Sequence, residues 1–158
     1  MKKYFVVLLA LVLGMGTLTG CGKKEAKASE SLYSYKTEYV GDNSKVVSIA
    51  SHIKYPEGLK YDSVKILSDK EPYGIIVYLT EDKDVQNPDL FTQAVMTFAL
   101  IDNLSNINYE IKETDDLIEG FNRDDVNLML RENGKDEINT IGANEDNFNN
   151  FINSEKDA

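Results

Sequence analysis

Gly74-Ile75-Ile76-Val77-Tyr78-Leu79, then Asn87-Pro88-Asp89-Leu90-Phe91-Thr92-Gln93-Ala94-Val95-Met96-Thr97-Phe98-Ala99-Leu100-Ile101-Asp102-Asn103-Leu104, then Ile107-Asn108-Tyr109-Glu110-Ile111: the fold turns on reading these three runs. The first is short and apolar on both faces, which predicts a central strand. The second opens with Asn87 at a cap position, Pro88 in the first turn and Asp89 beside it, all favoured at a helix start. Its apolar residues Leu90, Phe91, Ala94, Val95, Phe98, Ala99, Ile101 and Leu104 cover most of a helical circumference, so the helix should be deeply buried. Asn103 ends it. The third run alternates apolar with polar residues and reads as a half-buried strand.

Upstream, Tyr61 to Leu67 places Val64 and Ile66 on one face and Ser63 and Lys65 on the other, a second strand, with turn chemistry at Ser68-Asp69-Lys70-Glu71-Pro72. Before it, Asn43 or Ser44 can cap a helix whose apolar positions are Val46, Val47, Ile49, Ala50 and Ile53, stopped by Tyr55-Pro56 and Gly58. Leu32 to Val40 reads as extended, and Gly41-Asp42 turns the chain. Downstream, Glu113 to Ala158 carries 13 acidic and 4 basic residues. Two short helices are expected there. One runs from Asp124 to about Asn133 on Val126, Met129 and Leu130, stopped by Gly134; the other starts near Asn144 and uses Phe148, Phe151 and Ile152. The expected fold is α+β: a small antiparallel sheet of three to four strands with helices packed on one face. It forms one domain over residues 32–153, with 154–158 frayed.

The amino-terminal end has a different character. Met1-Lys2-Lys3 precedes an apolar run from Tyr4 to Leu13, and Leu18-Thr19-Gly20 precedes Cys21, the only cysteine. Basic residues, an apolar segment of this length and a small residue before the cut are the parts of a signal peptide. Tyr4 to Thr19 is shorter than the roughly 20 residues a membrane span needs. Residues 1–20 therefore read as a cleaved lipoprotein signal, with Cys21 as the lipid-bearing residue. Two acyl chains give stable anchoring where one does not. Residues 21–31, which include Lys23, Lys24 and Lys27 and no large apolar side chain, read as a flexible tether. The expected location is the cell membrane, lipid-anchored on the extracytoplasmic face.

The whole chain has 17 basic and 27 acidic residues, net −10, and from Leu32 onward 12 basic residues face 25 acidic ones. With no basic stripe to neutralise phosphates, nucleic acid is not an expected partner. The expected partners are the membrane, through the lipid on Cys21, and a membrane or envelope protein.

Tyr39-Val40-Gly41-Asp42-Asn43-Ser44-Lys45, Glu71-Pro72-Tyr73-Gly74 before a strand, Leu100-Ile101-Asp102-Asn103 and Ile107-Asn108-Tyr109 together resemble the domain of unknown function numbered 4825. The resemblance spans roughly residues 32–152. It implies an extracytoplasmic module of Gram-positive bacteria, found in small lipoproteins and after the membrane peptidase region of proteins related to β-lactam sensors. No functional residue carries over from it. The chain has no His-Glu-x-x-His, so the peptidase part of the fused form has no counterpart here.

Few residues offer chemistry. His52 is the sole histidine, and zinc usually takes several His or Cys ligands. Ser51-His52-Ile53-Lys54 matches the Ser-x-x-Lys of penicillin-recognising enzymes, but the Ser-Asp-Asn and Lys-Thr-Gly companions are missing. Glu81-Asp82-Lys83-Asp84, Asp115-Asp116 and Asn144-Glu145-Asp146-Asn147 lack the spacing of a calcium loop. Tyr39, Asp42, Asn43 and Tyr73 are the candidate recognition residues, but a turn and a helix cap account first for the Tyr39 to Asn43 segment, and a strand entry first for Tyr73. The expectation is a non-enzymatic binding or sensor-accessory lipoprotein without cofactor or metal. The alternatives are a structural envelope lipoprotein and, in third place, a wall or β-lactam hydrolase.

Overall fold

The structure, a computed structural model, describes residues 31–82, 85 and 87–156. The signal segment, Cys21 and the tether up to residue 30 lie outside the described residues. A 3-10 turn at Leu32–Tyr35 is followed by α1 (Asn43–His52), β1 (Leu59–Leu67), β2 (Gly74–Glu81), α2 (Phe91–Leu100), β3 (Asn106–Ile111), β4 (Leu117–Asn122), α3 (Arg123–Glu132), α4 (Ile138–Ile141) and α5 (Glu145–Lys156). The class is α+β. The strands lie in the order β1-β2-β3-β4 in one sheet.

The sheet is mixed, which corrects the antiparallel sheet expected from sequence. β1 with β2 and β3 with β4 pair antiparallel, but β2 and β3 are parallel, with Val77 opposite Tyr109. The physical reason is the connection. Two adjacent parallel strands need a crossover of a dozen or more residues, and α2 with its flanking loops supplies one.

The inward face carries Ile75, Val77 and Leu79 of β2 and Ile107 and Tyr109 of β3, all at most 1% exposed. Val64 and Ile66 of β1 continue that face and Lys65 lies opposite, as the alternation predicts. The outward face keeps Lys65 and Asn108 exposed, so the helices cover one side. Both edge strands contain register shifts, in β1 after Tyr61 and in β4 opposite Tyr109 and Glu110. Such bulges interrupt the row of free hydrogen-bonding groups that would otherwise invite edge pairing.

Four other sequence expectations change. Leu32–Tyr35 is a helical turn, and the extended part shrinks to a single bridge between Thr37 and Ile101. Asp42 rather than Asn43 or Ser44 caps α1, accepting the Lys45 N–H at 3.3 Å and the Ser44 hydroxyl at 3.1 Å. α2 begins at Phe91, not at Pro88, and its Leu90 cap residue has no side-chain cap of its own. Asp89 accepts the Phe91 N–H at 2.9 Å, and Glu119, distant in sequence, accepts the Leu90 N–H at 3.1 Å. Asn87 takes a left-handed backbone instead. Finally, α5 runs to Lys156, so the frayed tail expected from Ser154 is helical through 156; residues 157 and 158 lie outside the described residues.

The last three helices are not peripheral. Val126, Leu130, Ile138, Ile141, Phe148 and Phe151 are all 7% exposed or less. They roof α2, whose residues from Ala94 to Leu100 are buried without a break. A helix apolar on every side needs cover on every side. The sheet provides part of that cover, and α1 and α3–α5 provide the rest.

Candidate functional site

Residues 101–105, which lead from α2 into β3, gather segments from across the chain. The Thr37 N–H donates to Leu100 O at 2.9 Å, and the Asp102 N–H donates back to Thr37 O at 3.0 Å. Asn103 Oδ1 accepts the Val40 N–H at 2.7 Å. On the other side, Tyr73 O accepts from both Ser105 N–H (2.9 Å) and Asn106 N–H (3.1 Å). Tyr39-to-Lys45 and Glu71-to-Gly74 therefore flank one connection. Tyr39 is 64% exposed there, while Asp42 and Asn43 are engaged in starting α1 and Tyr73 is half-buried.

Two cations stabilise the carbonyl end of α2, which otherwise carries unpaired acceptors and a partial negative charge. Arg123, the first residue of α3, donates from Nε to Leu104 O (2.6 Å) and from Nη2 to Phe98 O (2.8 Å) and Ile101 O (2.6 Å). Its guanidinium also lies 5.2 Å from the Phe98 ring centroid. Burial lowers the Arg123 pKa, while Asp102 and Asp124 act in the opposite direction. Lys36 Nζ donates to Ala99 O at 3.0 Å and pairs with Asp102. Beside them is a cleft of about 480 Å³ reached by Lys36, Asp102, Asn139 and Gly142. A Cβ on Gly142 would stand 2.2 Å from Ala99 O, so α4 meets α2 backbone to backbone.

None of Tyr39, Asp42, Asn43 or Tyr73 lines this cleft. The connection they flank carries one exposed aromatic, with hydrogen-bonded polar groups beneath it. Arg123 and Asn103 are the residues that sequence reading missed. Their signal was faint: Arg123 is one of few basic residues in an acidic third, and a lone asparagine after a helix reads as a stop.

The nucleophile motif does not assemble. α1 ends at His52, so Lys54 stands beyond the helix that carries Ser51; its carbonyl accepts Gln93 Nε2 at 2.9 Å. His52 Nδ1 is 2.7 Å from Ser48 O, and a carbonyl only accepts, so Nδ1 carries the proton. That nitrogen is therefore not a base for Ser51, whose hydroxyl also donates to Ser48 O at 3.2 Å. The His52 ring lies 5.0 Å from that of Tyr35.

The described residues of the acidic clusters act as local structure; Lys83 and Asp84 lie outside the described residues. Asp82 pairs with Lys60, Glu81 accepts the Val85 N–H at 2.8 Å, and Asn144 accepts the Asn147 N–H at 2.9 Å. Asp115 sits in a left-handed turn. Among the described residues no group of three or more His, Cys, Asp or Glu is placed to hold a metal ion, and no helix is long and apolar enough to cross a membrane.

A family model described as domain of unknown function DUF4825 matches residues 32–124. No curated protein and no solved structure matches the chain.

Proposed function

The chain belongs to the DUF4825 family, and from that premise we propose that it is a lipid-anchored extracytoplasmic binding module without catalytic activity, working as a sensor accessory at the cell membrane. The observation that carries the proposal is the order of the sequence: an apolar segment, Leu18-Thr19-Gly20-Cys21 and a lysine-bearing tether precede a compact acidic domain. Two acyl chains on Cys21 would hold that domain at the surface. The turning of the Ser51 and His52 side chains to Ser48 O, with Lys54 past the end of α1, supports recognition over covalent chemistry. Exposed Tyr39, held beside the crossover by the Val40 bond to Asn103, supports that surface as the contact.

The test has two arms. Cells fed an alkyne-bearing palmitate should label the protein, and Cys21→Ala should abolish the label and move the protein out of the membrane fraction. Crosslinking on intact cells should then recover a defined membrane or envelope protein, lost in Tyr39→Ala at unchanged abundance. An unlabelled wild type sinks the anchor; repeated recovery of nothing sinks the binding role.

A further inference from the structure

β4 is an edge strand, and the layer above its inward face is not closed. Phe91 from the start of α2, Phe121 from β4 and Met129 from α3 wall a groove of about 350 Å³. The two phenyl rings meet edge to face at 6.3 Å. Met129 and its neighbour Leu128 are 44% and 47% exposed, which extends the apolar surface from the groove onto α3.

The polar end of the groove selects the occupant. Glu119 occupies an inward strand position opposite Tyr109, where an apolar residue would be expected. One of its oxygens accepts the Leu90 N–H; the other has no hydrogen-bond partner among the described residues. Burial raises the Glu119 pKa, the Leu90 bond lowers it, and the nearby Asp89 carboxylate raises it further. No described cation pairs with either carboxylate. The third carboxylate of the groove, Glu155, already holds the ammonium of Lys135 at 2.5 Å.

We propose that this groove docks a basic polypeptide segment, laying one lysine stem across Phe91, Phe121 and Met129 and bringing its ammonium to Glu119 and Asp89. The methylenes match the apolar walls, and the charge relieves two neighbouring carboxylates. The Lys135–Glu155 pair shows the same chemistry at the groove's other end. An exposed apolar rim beside the groove favours a polypeptide over a free amine. The acidic body would steer such a partner. This inference goes beyond the binding reading above, because the groove is a second surface and Tyr39 is not among its lining residues.

The experiment is a titration of the full-length chain in detergent micelles, followed by ¹H–¹⁵N resonances. The probes are acetyl-Ala-Lys-Ala-amide, its norleucine counterpart and n-pentylamine. The lysine peptide should shift Glu119, Phe121 and Met129 saturably, and the norleucine peptide should bind at least about tenfold more weakly. Asp89→Asn with Glu119→Gln should weaken the lysine peptide by a similar factor at an unfolding midpoint no lower than that of wild type, because each amide oxygen still accepts its backbone N–H. Scattered shifts, equal binding of norleucine or undiminished binding by the amide variant would overturn the site. Pentylamine binding as tightly as the peptide would overturn the polypeptide partner. Failure of palmitate labelling or of Tyr39-dependent capture bears on the anchor and the crossover surface, and leaves this titration interpretable.

Discussion

Residues 32–124 and 125–156 reach the same core by different routes. The first region builds a sheet and, among its helices, one buried from Ala94 to its end at Leu100. The second has three modest helices on a strongly acidic background, each contributing two buried apolar residues. Yet Phe148 is as fully buried as Phe98. The family match ends at residue 124, but the packing does not. A domain boundary drawn from sequence similarity and one drawn from burial can therefore differ. The reason is α2: its outer face is as apolar as its inner face, and water cannot serve as its roof.

The strongest challenge to that unity is Phe148→Ala. Emptying a fully buried aromatic site should cost about 4 kcal/mol, and urea unfolding should remain one transition in circular dichroism and tyrosine fluorescence. Two separated transitions would show that the helices fold apart from the sheet. Next is Arg123→Met, which keeps the stem but removes the donors to Phe98, Ile101 and Leu104 carbonyls. Leaving the Phe98 and Leu104 carbonyls unpaired, and Ile101 O with only the Leu104 N–H at 3.3 Å, should cost roughly 3 kcal/mol, with a matching fall in the urea midpoint. A loss under about 0.5 kcal/mol, typical of a surface change, would mean that the junction between the regions does not depend on this cap.

Gly142→Ala probes the closest approach of the two regions. The new methyl would strike Ala99 O, pushing α4 away from α2 and costing about 2 kcal/mol. An unchanged midpoint in thermal unfolding would show that the roof slides freely. The smallest effect belongs to Glu119→Gln, which keeps an acceptor for Leu90 while deleting a partly desolvated charge. Because the folded Glu119 pKa is raised, its ionisation opposes folding as pH rises above its unfolded value. The glutamine variant should be slightly more stable than wild type at neutral pH, and the gain should fade as pH falls through the Glu119 transition. A gain that grows toward acid would contradict that sign.

Much of the fold was legible in local pattern. β2, β3, α1 and the stop of α3 at Gly134 follow from periodicity and from turn residues whose effect acts within a few positions; Gly134 takes the left-handed backbone such a stop requires. β4 was not legible, because Leu117-Ile118-Glu119-Gly120-Phe121 puts a carboxylate and a glycine into a short strand and so hides the alternation. The start of α2 was misread for a related reason. Asn87-Pro88-Asp89 has the composition of a cap, but a glutamate on β4 does much of the capping. The candidate surface was partly legible: Tyr39 and Tyr73 do flank one connection, while Asp42 and Asn43 are occupied with α1. Arg123 gave no local sign of its role, since the carbonyls it serves belong to residues 98, 101 and 104.

By itself the sequence determined the α+β class and the burial of α2, although that helix stops at Leu100 rather than at Asn103, and it carries the signal motif ending at Cys21 as an expectation. These depend on hydrophobic periodicity and on short-range backbone preferences, which act on neighbouring residues. Tertiary structure alone decided the parallel pairing of β2 with β3, the capping of α2 from two distant places and the inclusion of α3–α5 in the core. Each of those joins groups far apart in the chain, and no local preference encodes which distant donor meets which acceptor.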